Sequence, residues 1–203
     1  SFSSLPLLSS FFFPSSLPPL LLPPASAGLT NLLVALAEGQ QAPQRAVLLD
    51  DIRRIQYAIV DRLQRPEVIR DEIDRMIDNI SMLSEAASLA TSNALTDELV
   101  SHGELMSSLL FVEILRERQV NAEWFDVRKV MRTDDHFGRA VPDVQVLAEQ
   151  ATAQLQPRIE QALVITQGFI GSESEGRTTT LGRGGSDYTA ALLGEALNAA
   201  RVD

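Results

Sequence analysis

The chain has 203 residues, enough for one domain with a sizeable core, and its formal net charge of −10 argues against nucleic acid or an anionic membrane surface as a partner. It contains no cysteine, which excludes disulfides and thiolate metal sites and is compatible with the cytoplasm. Its two histidines, His102 and His136, are too few and too far apart to suggest a metal centre, and each reads as a structural or surface residue.

Residues 1–24 consist only of Ser, Phe, Leu and Pro. These residue types share pyrimidine-rich codons, so the run reads as a low-complexity leader of artefactual origin rather than as native structure. A targeting segment is the alternative: Phe11–Phe13 resembles an apolar core and Ala25-Ser-Ala27 a cleavage site. Against it, no ionisable side chain precedes Glu38, and Pro14, Pro18 and Pro19 break the run. The same prolines argue against a bilayer-spanning helix.

Beyond the leader, apolar residues recur at helical spacing. Residues 30–38 predict a short helix ended by Gly39. Residues 44–64 and 67–90 predict two long helices joined by a short turn, an αα-hairpin with Ile52, Ile55 and Ile59 on one member and Ile69, Ile73, Ile77 and Ile80 on the other. Thr96 reads as an N-cap, with Asp97 and Glu98 in the first turn of a helix running to about Arg118. Residues 122–127 predict a strand and 132–142 a polar loop. Residues 144–161 predict a helix interrupted by Pro157. The nearly continuous apolar run at 162–170 predicts a buried parallel strand, and 178–181 a short one. A helix follows over 187–200, and 201–203 begins another strand. Helices alternating with strands indicate an α/β sandwich around a mainly parallel sheet, with ligand loops at the strand C-termini.

The segment Gly176-Arg-Thr-Thr-Thr-Leu-Gly-Arg-Gly-Gly-Ser-Asp187 joins three tools. Gly182, Gly184 and Gly185 allow close backbone approach to a ligand. Ser186 and Asp187 stand where a helix begins, and free N–H groups there favour anions. Arg183 can clamp a carboxylate or phosphate with two parallel hydrogen bonds. The pattern suggests phosphoryl transfer to or from a small anion, although it is not a Walker loop.

With Ser26-Ala-Gly-Leu-Thr30, Thr96-Asp-Glu-Leu-Val-Ser-His-Gly-Glu104 and Gln167-Gly-Phe-Ile-Gly171, this segment resembles the aspartate kinase branch of the amino acid kinase family, of the lysine-sensitive bacterial type, over about residues 25–203. The resemblance implies an amino acid kinase-like α/β sandwich, incomplete, with a helical hairpin insertion. It implies L-aspartate as acceptor and ATP with Mg2+ as donor, the γ-phosphoryl passing to the β-carboxylate. By the same resemblance Thr30 binds the amino-acid substrate, Glu104 holds its α-ammonium, Phe169 lines the site, and Arg183 takes a carboxylate. Ser186 and Asp187 lie beside the reacting groups, Gly182, Gly184 and Gly185 form the phosphate loop, and no protein metal ligand is expected.

The chain departs from the family at both ends. The Lys-Phe-Gly-Gly-Thr-Ser strand that opens family members is absent, with the leader standing in its place, and the nucleotide loops that follow the matched region are absent too. The expectation is therefore a central fragment of the kinase domain that does not turn over. The alternative is a non-catalytic remnant that binds aspartate weakly or pairs with a complete subunit. The resemblance also allows a homo-oligomer in the complete enzyme, with the 132–142 loop near the subunit contacts.

Overall fold

Apolar residues three and four apart give the first half of the chain its helices, seen in a computed structural model that describes residues 9–12, 20–23 and 28–202. They are α1 (Leu29–Ala37), α2 (Ala42–Val60), α3 (Glu67–Leu89) and α4 (Asn93–Glu117). The expected hairpin is α2 and α3: Pro43 sits in the first turn of α2, and Pro66 immediately precedes α3, where a missing N–H costs little. Ile69, Ile73, Ile77 and Ile80 line one face of α3 and are buried. That face, with Ile52 of α2, Leu29, Leu33 and Leu36 of α1 and Leu99 and Met106 of α4, makes one hydrophobic core.

One polar residue disturbs that core. Gln56 of α2 is completely buried, and neither polar atom of its side-chain amide has a hydrogen-bond partner among the described residues. Burying an amide unpaired costs about 1–3 kcal/mol. Gln56→Met, which keeps length and flexibility but carries no amide, is therefore expected to raise the unfolding free energy by about 1–2 kcal/mol in urea melts.

The second layer is a five-stranded sheet. Its strands are β1 (Ser9–Phe12), β2 (Leu20–Leu22), β3 (Ala122–Trp124), β4 (Leu163–Ile165) and a terminal strand at Arg201–Val202, in the order β3, β4, β2, β1, terminal strand. β3, β4 and β2 run parallel, while β1 is antiparallel to both its neighbours, so four of the five strands point the same way. Leu20 pairs with Val164 and Leu21 with Ile165, placing part of the Ser/Phe/Leu/Pro run in the middle of the sheet. Leu20 and Leu22 are buried against the same core as Val164 and Leu193. A leucine triplet suits a strand covered on both faces. Residues 1–8, 13–19 and 24–27 of the leader and its junction lie outside the described residues, and with them Ser26 and Ala27 of the Ser-Ala-Gly-Leu-Thr turn.

A two-stranded antiparallel ribbon, β5 (Ile170–Ser172) and β6 (Thr178–Thr180), lies beyond the end of β4. Helices α5 (Val144–Gln150), α6 (Gln156–Ile159) and α7 (Gly185–Ala196) complete the layer, and the terminal strand Arg201–Val202 is β7. The buried stretch at 162–170 is thus not one strand: β4 stops at Ile165, and Ile170 opens a strand of the other sheet. The side chain of Gln167 and the turned backbone of Phe169 break the run, as detailed below. The strand expected at 122–127 also ends early, at Trp124, and gives way to a 3₁₀ turn at Val127–Lys129. The helix expected over 187–200 begins and ends earlier, and Asn198, in the left-handed region with φ of 51°, follows its end. The helix expected over 144–161 widens to a π turn at Ala151–Leu155 just before Pro157, which then sits in the first turn of α6. No helix among the described residues is long and apolar enough to cross a membrane.

Candidate functional site

The chain leaves β4 through four residues that each fix a different neighbour. Thr166 Oγ1 donates to the carbonyl of Phe125 at 2.8 Å. Gln167, fully buried, accepts from the Val127 N–H through Oε1 and donates to Ser108 Oγ through Nε2. Gly168 lies so near the start of α7 that a Cβ there would stand 2.9 Å from Ser186 Cα, closer than real contacts allow. Phe169 adopts φ of 72°, a conformation that costs a bulky residue about 1–3 kcal/mol and persists only where the surroundings impose it. Here they do so by two hydrogen bonds: its N–H donates to Thr189 Oγ1 and its carbonyl accepts from the Leu181 N–H.

Against this exit stands the glycine-rich turn. Gly182 and Gly184 have φ of 78° and 75°, open to glycine but strained for other residues. Gly185 begins α7 within 2.9 Å (from its virtual Cβ) of the Phe169 ring, so both backbones interlock with no room for side chains. The helix N-cap is Gly184, without a side-chain cap. Asp187 is an exposed residue of the first turn. As at any helix start, the N–H groups of Ser186 and Asp187 have no intrahelical acceptor. The turn, Phe169, Thr180 and Gly138 enclose an open cavity of about 390 Å³. Its rim carries the exposed side chains of Arg183, Ser186 and Asp187.

Behind the cavity wall runs α4. Its N-cap is Ser92, whose Oγ accepts from the Leu95 N–H at 3.1 Å; Thr96, expected as the cap, lies inside the helix and bonds back to the Ser92 carbonyl. The shift moves Asp97 from the helix end into its body. Asp97, Ser101, Glu104 and Ser108 then fall on one face, because seven residues make almost two whole turns. All four are buried.

Asp97 is tied across this face to two other segments. Its Oδ2 accepts from the N–H groups of Gly138 and Thr180, both at 2.8 Å, and its Oδ1 from Thr180 Oγ1 at 2.8 Å. Burial raises its pKa and these donors partly counter the rise. Ser108, at the other end of the face, receives Gln167 and the Trp124 indole N–H. Glu104 therefore stands between a contact to Thr180 and a contact to Gln167, about 10 Å along the axis from Asp97 and about 6 Å from Ser108. Its Oε2 is buried without a hydrogen-bond partner among the described residues, and burial pushes its pKa up to about 7. A desolvated carboxylate with nothing on it is a place for a cation.

His102 is structural: Nδ1 donates to the Glu98 carbonyl and Nε2 accepts from the Asn79 amide, which defines a neutral tautomer, and burial lowers its pKa. His136 is exposed and pairs with Asp134.

Of the residues singled out in the sequence, Phe169, Gly182, Arg183, Gly184, Gly185, Ser186 and Asp187 converge on the cavity. Glu104 lies behind its wall on α4. Thr30 is exposed in the first turn of α1, which packs against α4, and is not among the cavity-lining residues. The sequence reading missed Asp97, Thr180 and Gly138. Only the seven-residue step from Asp97 to Glu104 could have pointed to the first.

An antiparallel ribbon that ends in a glycine-rich turn at a helix N-terminus, tied through Asp97 to the helix that carries a buried carboxylate, is an arrangement suited to a small charged ligand. The chain belongs to the amino acid kinase family, whose pattern matches residues 26–203. Within that family it is 72% identical over 179 residues to the lysine-sensitive aspartokinase 3 of Escherichia coli (strain K12), a match covering 88% of this chain and 40% of that protein. It is 32% identical over 178 residues to the aspartokinase of Chlamydia pneumoniae, covering 88% of this chain and 38% of that one. The crystal structure of E. coli aspartokinase III in complex with aspartate and ADP (R-state) superimposes with a TM-score of 0.88 at 70% identity, covering 90% of this chain and 41% of the other. The chain thus spans about 40% of the length of these relatives.

Proposed function

We propose that this chain carries the phosphoryl-acceptor half of an aspartate kinase, and that the whole protein transfers the γ-phosphoryl of Mg·ATP to the β-carboxylate of L-aspartate in the cytoplasm. The observation that carries the reading is Glu104, a buried carboxylate with an oxygen that has no partner among the described residues, on the helix that Asp97 ties to the wall of a cavity rimmed by Arg183. L-Aspartate has one ammonium and two carboxylates. Glu104 receives the ammonium. Arg183 takes a carboxylate in a bidentate pair. Thr30 closes on the amino-acid end of the ligand from α1.

The left-handed glycines and the free N–H groups of Ser186 and Asp187 suit a phosphoryl group developing charge on the acceptor carboxylate. The chemistry that ATP with Mg2+ supplies is an activated phosphoryl with part of its charge neutralised. Ser186 donates a hydroxyl hydrogen bond to the transferring group. Asp187, in the same helix turn, stands beside the reacting groups, so the protein's work is positioning and charge stabilisation. The similarity to the E. coli enzyme crystallised with aspartate and ADP supports the choice of ligands.

Calorimetric titration tests the acceptor assignment. L-Aspartate is expected to bind, and succinate, which keeps both carboxylates but lacks the ammonium, to bind at least about 10-fold more weakly. Arg183→Ala should weaken aspartate by about 10- to 100-fold. Equal affinity for succinate and aspartate would refute the role given to Glu104.

A further inference from the structure

The 132–142 loop enters the reading above only as a wall of the cavity, yet it holds a cation in an unusual position. Arg139 is exposed, and no hydrogen bond or ion pair engages its side chain among the described residues. Its neighbours differ. Arg128 is clamped by Asp126 and Thr178, Arg132 by Ser172 and the Glu173 carbonyl, and Arg177 by Glu173 and Glu175. Among the arginines of the loop and ribbon beside the cavity, at positions 128, 132, 139 and 177, it is the one that the described residues leave without a side-chain partner, a condition it shares with Arg183 on the glycine-rich turn.

The backbone of Arg139 is not loose. On one side the Gly138 N–H donates to Asp97 at 2.8 Å, and on the other the Ala140 N–H donates to the Thr180 carbonyl at 2.9 Å. Its own N–H donates to the His136 carbonyl at 3.0 Å. The residue is thus suspended between two bonds to the elements that build the cavity. Its stem lies against the glycine-rich turn: a Cβ on Gly182 would find the Gly138 carbonyl oxygen at 3.2 Å and Arg139 Cγ at 3.5 Å. The bare Gly182 spares the Gly138 carbonyl a crowded contact, while the arginine stem lies at ordinary van der Waals distance.

We propose that Arg139 is a second binding cation of this site, reaching over Gly182 to the side-chain carboxylate of a dicarboxylic amino acid and so selecting it over neutral analogues. The inference rests on the acceptor reading above. Charge matching argues for it: Glu104 answers the ammonium and Arg183 one carboxylate, which leaves a second carboxylate to be answered. Depth argues for the end it takes. The ammonium is drawn towards buried Glu104, so the carboxylate farthest from it lies towards the rim, where Arg139 is exposed. A guanidinium fixed at its backbone but free at its tip can close on that group with a bidentate pair.

The test is calorimetry of the wild-type chain, Arg139→Ala and Arg139→Lys with L-aspartate and L-asparagine. L-Asparagine keeps the amino-acid end and replaces the side-chain carboxylate by an amide. Arg139→Ala is expected to weaken L-aspartate by about 10- to 100-fold and leave L-asparagine within about 2-fold, with Arg139→Lys recovering part of the loss. Because the side chain is exposed and unpaired, the unfolding midpoint should not move. Unchanged aspartate affinity in Arg139→Ala, or an equal loss for both ligands, overturns the proposal while leaving the acceptor reading intact. A wild-type chain that binds no L-aspartate overturns the acceptor reading, and the role of Arg139 falls with it.

Discussion

Asp97→Ala is expected to lower the unfolding free energy by about 3 kcal/mol, because it strands the Thr180 N–H, the Thr180 hydroxyl and the Gly138 N–H at once. Thr180 is buried, so water cannot replace the lost acceptors without local opening. Asp97→Asn should cost less than about 1 kcal/mol. The asparagine oxygen can take the place of Oδ2 and accept both N–H groups, while its NH₂ donates to a Thr180 hydroxyl that rotates to accept. The pair of variants thus separates geometry from charge. Urea unfolding of both decides it: equal losses would mean that the carboxylate's charge, not its three bonds, holds the loop and β6 to α4. The same contacts hold Gly138 and Thr180 at the cavity, so Asp97→Ala should also weaken aspartate, and Asp97→Asn should not.

Glu104→Gln has the opposite balance of effects. It should weaken L-aspartate by about 100-fold, since a charge-assisted bond to the ammonium becomes a neutral one. It should also make the protein more stable above neutral pH. Burial raises the folded-state pKa of Glu104 to about 7, above the 4.5 of an unperturbed glutamate. Between these values the folded chain binds more protons at this group than the unfolded chain, so stability falls as pH rises from about 4.5 to about 7 and is flat beyond. The shift corresponds to at most about 3 kcal/mol. A glutamine side chain cannot ionise, and the variant should lose this part of the pH dependence. Aspartate binding carries the same proton: affinity for the wild-type chain should climb as pH rises towards about 7 and then level off, whereas the variant's affinity stays flat. Stability curves of the two proteins that run parallel from pH 4 to 8 would contradict the assignment. A residue that destabilises its own fold for a ligand is common at binding sites.

The helices of the first half were legible because their signal is local. Ile69, Ile73, Ile77 and Ile80 announce a buried face whatever they pack against. The glycine-rich turn was legible for a similar reason, since only glycines accept the φ of 78° at Gly182 and 75° at Gly184 without strain. Errors arose where a side chain elsewhere outcompeted local preference. Thr96 is a good cap by type, but Ser92 stands one turn earlier and takes the Leu95 N–H first. The apolar run at 162–170 looks like one strand until Gln167 spends its amide on Val127 and Ser108, which no reading of neighbours could foresee.

By itself, then, the sequence determined which segments are helical, where the backbone must turn at glycine, and which polar groups gather there: Arg183, Ser186 and Asp187 within a few residues of each other. Tertiary structure decided the rest. Asp97 bonds to Gly138 and Thr180 across 41 and 83 residues, Gln167 to Ser108 across 59, and the strained Phe169 is held by Thr189 across 20. It also decided that Glu104 is desolvated, with Oε2 left without a partner among the described residues. Periodicity and propensity report a residue's own neighbourhood, whereas a carboxylate's partners and its exposure to water are properties of the folded surroundings.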